Sequence, residues 1–135
     1  MKKDNLVIFM PSIEGGGVEK NLFIIANYLS SKIDGIKLIT TSTEFSYKFR
    51  NIHTVKPWLN FFKLNNRKIK YFICLIELLR MMISGKKFTV FSFQANLYCI
   101  IICKIFNKKI IIRSNSSPSG WSKNFIKKKN IQIFT

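Results

Sequence analysis

Five apolar residues in unbroken succession, Leu6, Val7, Ile8, Phe9 and Met10, stop at Pro11 and give way to Gly15-Gly16-Gly17 and a segment of helical period. A run that is apolar at every position suits a strand buried on both faces, because alternation is expected only where one face meets water. Such strands belong to parallel sheets with helices on either side, joined by crossover connections. This one pattern therefore sets the fold class that the remaining segments have to match.

They match it in order. Residues 18–32 place Val18, Leu22, Ile25 and Leu29 at helical spacing, with Glu19 in the first turn where a carboxylate complements the helix dipole. Residues 36–40 read as the next strand. Residues 42–65 are irregular, with Pro57, the single histidine His53, a short strand over 51–56 and an aromatic cluster of Trp58, Phe61 and Phe62. A lone histidine in such a segment is expected to be partly buried rather than catalytic. Residues 66–84 form a long helix with an expected buried stripe of Ile69, Phe72, Ile73, Ile76, Leu79 and Ile83, ended by Gly85. Residues 88–93 read as a buried strand, 95–106 as an apolar helix and 110–112 as a further strand. A polar loop over 114–120 and a basic stretch to Lys129 follow.

The reading is one α/β domain with a parallel sheet, 135 residues being enough for a single core. Ligands of such sheets gather beyond the carboxyl ends of the strands. The loops that matter are therefore 11–17, the turn at Gln94 and 114–120.

Composition excludes several classes. Cys74, Cys99 and Cys103 make neither a disulfide framework nor a zinc site, and buried small hydrophobes need no further role. No metal site is expected. The longest uncharged stretch, 88–103, has 16 residues and falls short of the ~18 of a membrane span. The expected location is cytoplasmic. The net charge of +17 arises from 23 Lys+Arg against 6 Asp+Glu. Ile, Lys, Phe and Asn make up 66 residues, a skew that AT-rich coding DNA produces, so part of the charge reflects codon bias.

The glycine loop lies between a strand and a helix, where backbone N–H groups and the helix dipole favour phosphate. It fits neither the G-x-G-x-x-G nor the G-K-[ST] fingerprint, since Lys20 stands three places after Gly17. Gly16-Gly17-Val18-Glu19-Lys20 instead resembles the G-G-x-E-[RK] signature of the N-terminal domain of family-four glycosyltransferases. The polar turn Ser92-Phe93-Gln94 and the strand ending Arg113-Ser114-Asn115-Ser116-Ser117-Pro118 fall in the same order as in that family. The resemblance extends to about Lys128.

It implies a Rossmann-like sheet, the N-terminal half of a GT-B fold, incomplete here. It implies transfer of a sugar, of the hexosyltransferase type, from a nucleotide-sugar donor to a cell-surface polysaccharide or lipid-linked acceptor. No other cofactor is implied. Gly15, Gly16 and Gly17 would approach the donor diphosphate, with Glu19 and Lys20 at the helix start behind them. Gln94, Arg113, Ser114, Asn115 and Ser116 would line the acceptor side. Many relatives carry a histidine in one of those turns and this chain has none there, so the catalytic residue is left open.

The family holds its donor in a second domain with a paired-glutamate motif. The six acids here contain no such pair, so residues 1–135 read as a truncated acceptor-side domain, inactive alone. Lys127, Lys128 and Lys129 are encoded most simply by an adenine run, and residues 130–135 then read as a frameshifted tail.

Two further readings concern the charge. Lys63, Arg67, Lys68 and Lys70 beside Trp58, Phe61, Phe62, Tyr71 and Phe72 suit an anionic membrane interface. Peripheral attachment to the inner face of the plasma membrane is the matching expectation. The alternatives are a basic nucleic-acid-binding module, disfavoured because no recognised nucleic-acid-binding motif occurs, and a free-standing nucleotide-binding module.

Overall fold

The computed structural model describes residues 5–58, 66–113 and 131–134. Its strands are β1 (Asn5–Phe9), β2 (Ile36–Ile39), β3 (Ile52–Val55), β4 (Phe88–Ser92), β5 (Ile110–Arg113) and β6 (Ile131–Phe134). Its α-helices are α1 (Gly17–Ser30), α2 (Arg67–Ile83) and α3 (Asn96–Ile105), with a 3-10 helix at Thr43–Lys48. The strands form one sheet in the order β3-β2-β1-β4-β5-β6, every pairing parallel. This is the Rossmann-like α/β fold that the unbroken apolar runs call for, and its strand order reverses between β1 and β4.

Residues alternate across β1 between two cores. Leu6 and Ile8 face α1, where they meet Leu22, Ala26, Leu38 and Phe91. Val7 and Phe9 face α2 and α3, where they meet Cys74, Leu78, Val90, Cys99 and Ile112. Each fully buried aliphatic or aromatic side chain contributes roughly 1.5–3 kcal/mol by leaving water. Both faces of β1 therefore contribute, which is why its sequence shows no polar alternation.

Local signals set the helix ends. The Asn66 side chain accepts the Lys68 N–H at 3.0 Å and caps α2, and Gly85 closes its far end at φ +73°. At α1, Ser30 Oγ donates to the Asn27 carbonyl at 2.8 Å in the last turn.

Two expectations need correction. The buried side of α2 is Ile73, Cys74, Glu77, Leu78 and Met82, whereas Ile69, Phe72 and Ile83 of the expected stripe are exposed. The helix is apolar around most of its circumference, so spacing alone does not say which side the sheet covers. His53 is exposed, because β3 is the sheet's edge strand. Residues 131–134 pair with β5 in register from Ile110↔Ile131 to Arg113↔Phe134, adding a sixth strand to the five read from the sequence. The sequence Ile131-Gln132-Ile133-Phe134 suits a strand on composition. Phe61, Phe62, Lys63, Ser114, Asn115, Ser116 and the basic stretch to Lys129 lie outside the described residues.

Candidate functional site

The carboxyl ends of β1, β4 and β5 meet at the point where the strand order reverses. Leaving β1, Met10 N–H donates to the Ile39 carbonyl at 3.2 Å, and the Pro11 carbonyl accepts Thr41 N–H at 3.0 Å and Thr41 Oγ1 at 2.7 Å. Ile13 N–H donates to Ser42 Oγ at 3.1 Å. Ser12 N–H donates to Gln94 Oε1, also at 3.1 Å. The loop after β1 is thus held from both sides, by the loop after β2 and by the turn after β4.

The glycines differ in what they do. Gly15 has φ +88°, a left-handed conformation that side chains resist. Gly16 is the N-cap of α1, and a Cβ there would lie 2.8 Å from Glu19 Oε2. Gly17 has open space around it. Glu19 is buried in the first turn of α1, and its Oε1 accepts Glu14 N–H at 3.4 Å. It thereby folds back on the loop, as a capping carboxylate does. Its role is to hold the glycine loop in place, and Gly16 is small so that it can.

Two features favour an anion here. Gly16 as N-cap has no side chain to bond the first N–H groups of α1, which keep their donors among the described residues. Gly15, Gly16, Gly17 and Lys20 are all exposed around that helix end. A loop without side chains beside unpaired amides admits a phosphate closely.

Across the mouth, the turn after β4 enters α3 through Ala95 at φ 53°, ψ 37°. Ser92 Oγ lies 2.9 Å from both the Gln94 carbonyl and Asn96 Oδ1. Asn96 Nδ2 donates to the Arg113 carbonyl at 3.0 Å. Arg113 stands 5.9 Å from the Phe93 ring centroid in a cation–π arrangement. Its Nη1 is buried without a partner among the described residues. A groove of about 490 Å3 runs from Arg113 and Asn21 along α1, floored by Leu6, Phe91 and Ile111.

The structure therefore brings Gly15, Gly16, Gly17, Glu19 and Lys20 to one lip and Gln94 and Arg113 to the facing turns. Ser12 joins the two lips through Gln94, while Ser92 braces the turn after β4 and Asn96 ties that turn to Arg113. The partners of Ser12 and Asn96 are distant in sequence, which no local motif carries.

The three cysteines take no part. Burial pushes each thiol from 9.0 up to about 12, with Glu77 and Cys99 adding to the rise at Cys74, and Cys99 to that at Cys103. They stay protonated and inert at neutral pH. Among the described residues no three His, Cys, Asp or Glu side chains gather as a metal site. No described helix is long and apolar enough to cross a membrane.

No protein-family model matches the chain, and none of the curated proteins is similar to it in sequence. A solved structure does share its fold. It is that of HepE from Anabaena in complex with UDP and glucose, with a TM-score of 0.55 and 10% sequence identity. The match covers 90% of this chain and 33% of that one, so the chain spans a third of the neighbour's length. At this identity the likeness establishes the fold.

Proposed function

We propose that this chain is the acceptor-side half of a nucleotide-sugar-dependent glycosyltransferase of GT-B architecture, resembling family four. The observation that carries the reading is the uncapped N-terminus of α1 behind three exposed glycines, at the reversal of strand order. The fold neighbour supports it, being a protein solved in complex with UDP and glucose that shares this fold over a third of its length.

In this reading the amides of Gly16, Gly17 and Val18 face the donor diphosphate, and Lys20, one turn in, adds positive charge. Gln94 and Arg113 orient the acceptor from the opposite lip, joined there by Ser114, Asn115 and Ser116. The acceptor is a cell-surface polysaccharide or a lipid-linked glycan, and the transferred group is a hexose. The protein works in peripheral contact with the inner face of an anionic membrane. In the GT-B architecture the donor's nucleoside end is held by a second domain. Positioning both substrates is most of what such a catalyst does, so this half alone transfers sugar negligibly.

Equilibrium dialysis against labelled UDP and labelled uridine tests the reading. The expected result is retention of UDP but not of uridine, reduced by Lys20→Glu. Equal retention of uridine, or no effect of Lys20→Glu, contradicts a diphosphate site at α1.

A further inference from the structure

The helix α1 is a ridge beside a groove. Leu22 and Ala26 turn toward the sheet, and Phe23 packs on Phe45 and Phe49 with ring centroids 6.2 and 5.1 Å away. Ile24 and Tyr28, four positions apart and so stacked on one side, project outward and are 68% and 64% exposed. On the remaining flank Ile25, Leu29 and Ile33 wall the groove of about 490 Å3 that Phe91 and Ile111 floor.

A parallel sheet ordinarily carries helices on both faces. Among the described residues α2 and α3 pack on one face, whereas α1 is the only α-helix packed on the other. The groove over Phe91 and Ile111 is therefore the part of the sheet where, among the described residues, the second layer has no helix.

Charge sets this face apart as well. Residues 17–35 hold Lys20 and Lys32 against Glu19 and Asp34, a neutral stretch in a chain of net charge +17. Residues 67–109, which carry α2 and α3, hold nine Lys or Arg and a single acid, Glu77.

We propose that the outer face of α1 is a self-association surface on which two copies of the chain meet about a two-fold axis. The ridge of each copy, with Ile24 and Tyr28 foremost, enters the groove of the other and covers Phe91 and Ile111. A two-fold interface uses the same patch on both copies, so ridge and groove must lie side by side on one surface. That is the arrangement at α1. Tyr28 supplies an aromatic anchor of the kind that dominates binding at such interfaces. Charge selects the occupant. Two chains of +17 repel one another, and the neutral stretch is where they approach with least repulsion. An anionic lipid surface or a nucleic acid is drawn instead to the lysine-rich segments of the chain.

Sedimentation equilibrium of the full chain over micromolar concentrations tests the proposal with no nucleotide sugar present, so a failure here leaves the diphosphate site untouched. The expected result is a reversible equilibrium between one chain and two. Raising salt from about 0.01 M to about 0.15 M shortens screening from about 30 Å to about 8 Å and tightens the dimer. Ile24→Ser with Tyr28→Ser weakens it at least about a hundredfold, since each lost apolar contact counts twice. Both positions are exposed, so the variant keeps its fold, and its circular dichroism matches the parent's. Phe72→Ser with Ile83→Ser, at comparably exposed positions on α2, changes dimerisation less than about twofold. A single-chain mass at every concentration overturns the proposal, as does an equal loss from the α2 pair. A dimer that loosens as salt rises overturns it too, because its contacts would then be between opposite charges. A monomer that binds anionic vesicles or an oligonucleotide, and loses that binding with Tyr28→Ser, gives the face to that partner and overturns it.

Discussion

The backbone N–H of Ser12 donates to Oε1 of Gln94 at 3.1 Å, across 82 positions of sequence. Ser12 is fully buried, so this amide has no water to turn to. Parallel pairing of β1 with β4 brings the two loops together, and the bond makes one rim of them. Replacing Gln94 by Ala strands a buried donor, which costs about 1–3 kcal/mol. Urea unfolding should show that loss, and hydrogen exchange should show the Ser12 amide losing protection. Unchanged protection would mean that the rim holds without Gln94.

The three glycines should respond differently to alanine. Gly15→Ala places a side chain at φ +88° and should cost about 1–2 kcal/mol. Gly16→Ala pushes on Glu19 Oε2 and should cost about 1 kcal/mol through the displaced carboxylate. Gly17→Ala meets nothing within 4 Å and should stabilise by about 0.4–1 kcal/mol. Thermal unfolding of the three variants gives the order directly.

The two sides of α2 offer a second contrast. Leu78 is fully buried between the helices and the sheet, so Leu78→Ala should cost about 2–5 kcal/mol. Phe72 is mostly exposed, and Phe72→Ala should stay within about 0.5 kcal/mol of the parent. Denaturant midpoints at constant slope would establish which face the sheet covers.

The buried thiols predict a fall in stability at alkaline pH. Each has its pKa raised from 9.0 to about 12 in the folded protein, so the unfolded chain releases these protons first. Their contribution is fully present below pH 9.0 and is lost as pH rises from there toward about 12. Urea unfolding at pH 8 and pH 10.5 should show a decline that is smaller in a Cys74→Ala, Cys99→Ala, Cys103→Ala variant. An equal decline in that variant would assign the effect to other groups.

The sheet was readable because burial on both faces leaves residues 6–10 and 110–112 apolar at every position. The glycine loop was readable because conformational demand at Gly15 and close approach at Gly16 permit few residue types. The buried side of α2 was not, because Ile69 and Phe72 are as apolar as Ile73 and Cys74, and only the sheet's position chooses between them. The bonds from Ser12 to Gln94 and from Asn96 to Arg113 join segments distant in sequence, and polar residues in a loop have the same composition whether or not they meet.

The central claim is that the lip at Gly15, Gly16 and Gly17 receives a nucleotide sugar's diphosphate. Titrating the 15N-labelled chain with UDP-glucose and following its amide resonances tests it most directly. The account predicts saturable shifts at Gly15, Gly16, Gly17, Val18 and Lys20, with smaller ones at Gln94, and none on the outer face of α2 and α3. Shifts confined to other regions, or none at saturating ligand, would contradict it.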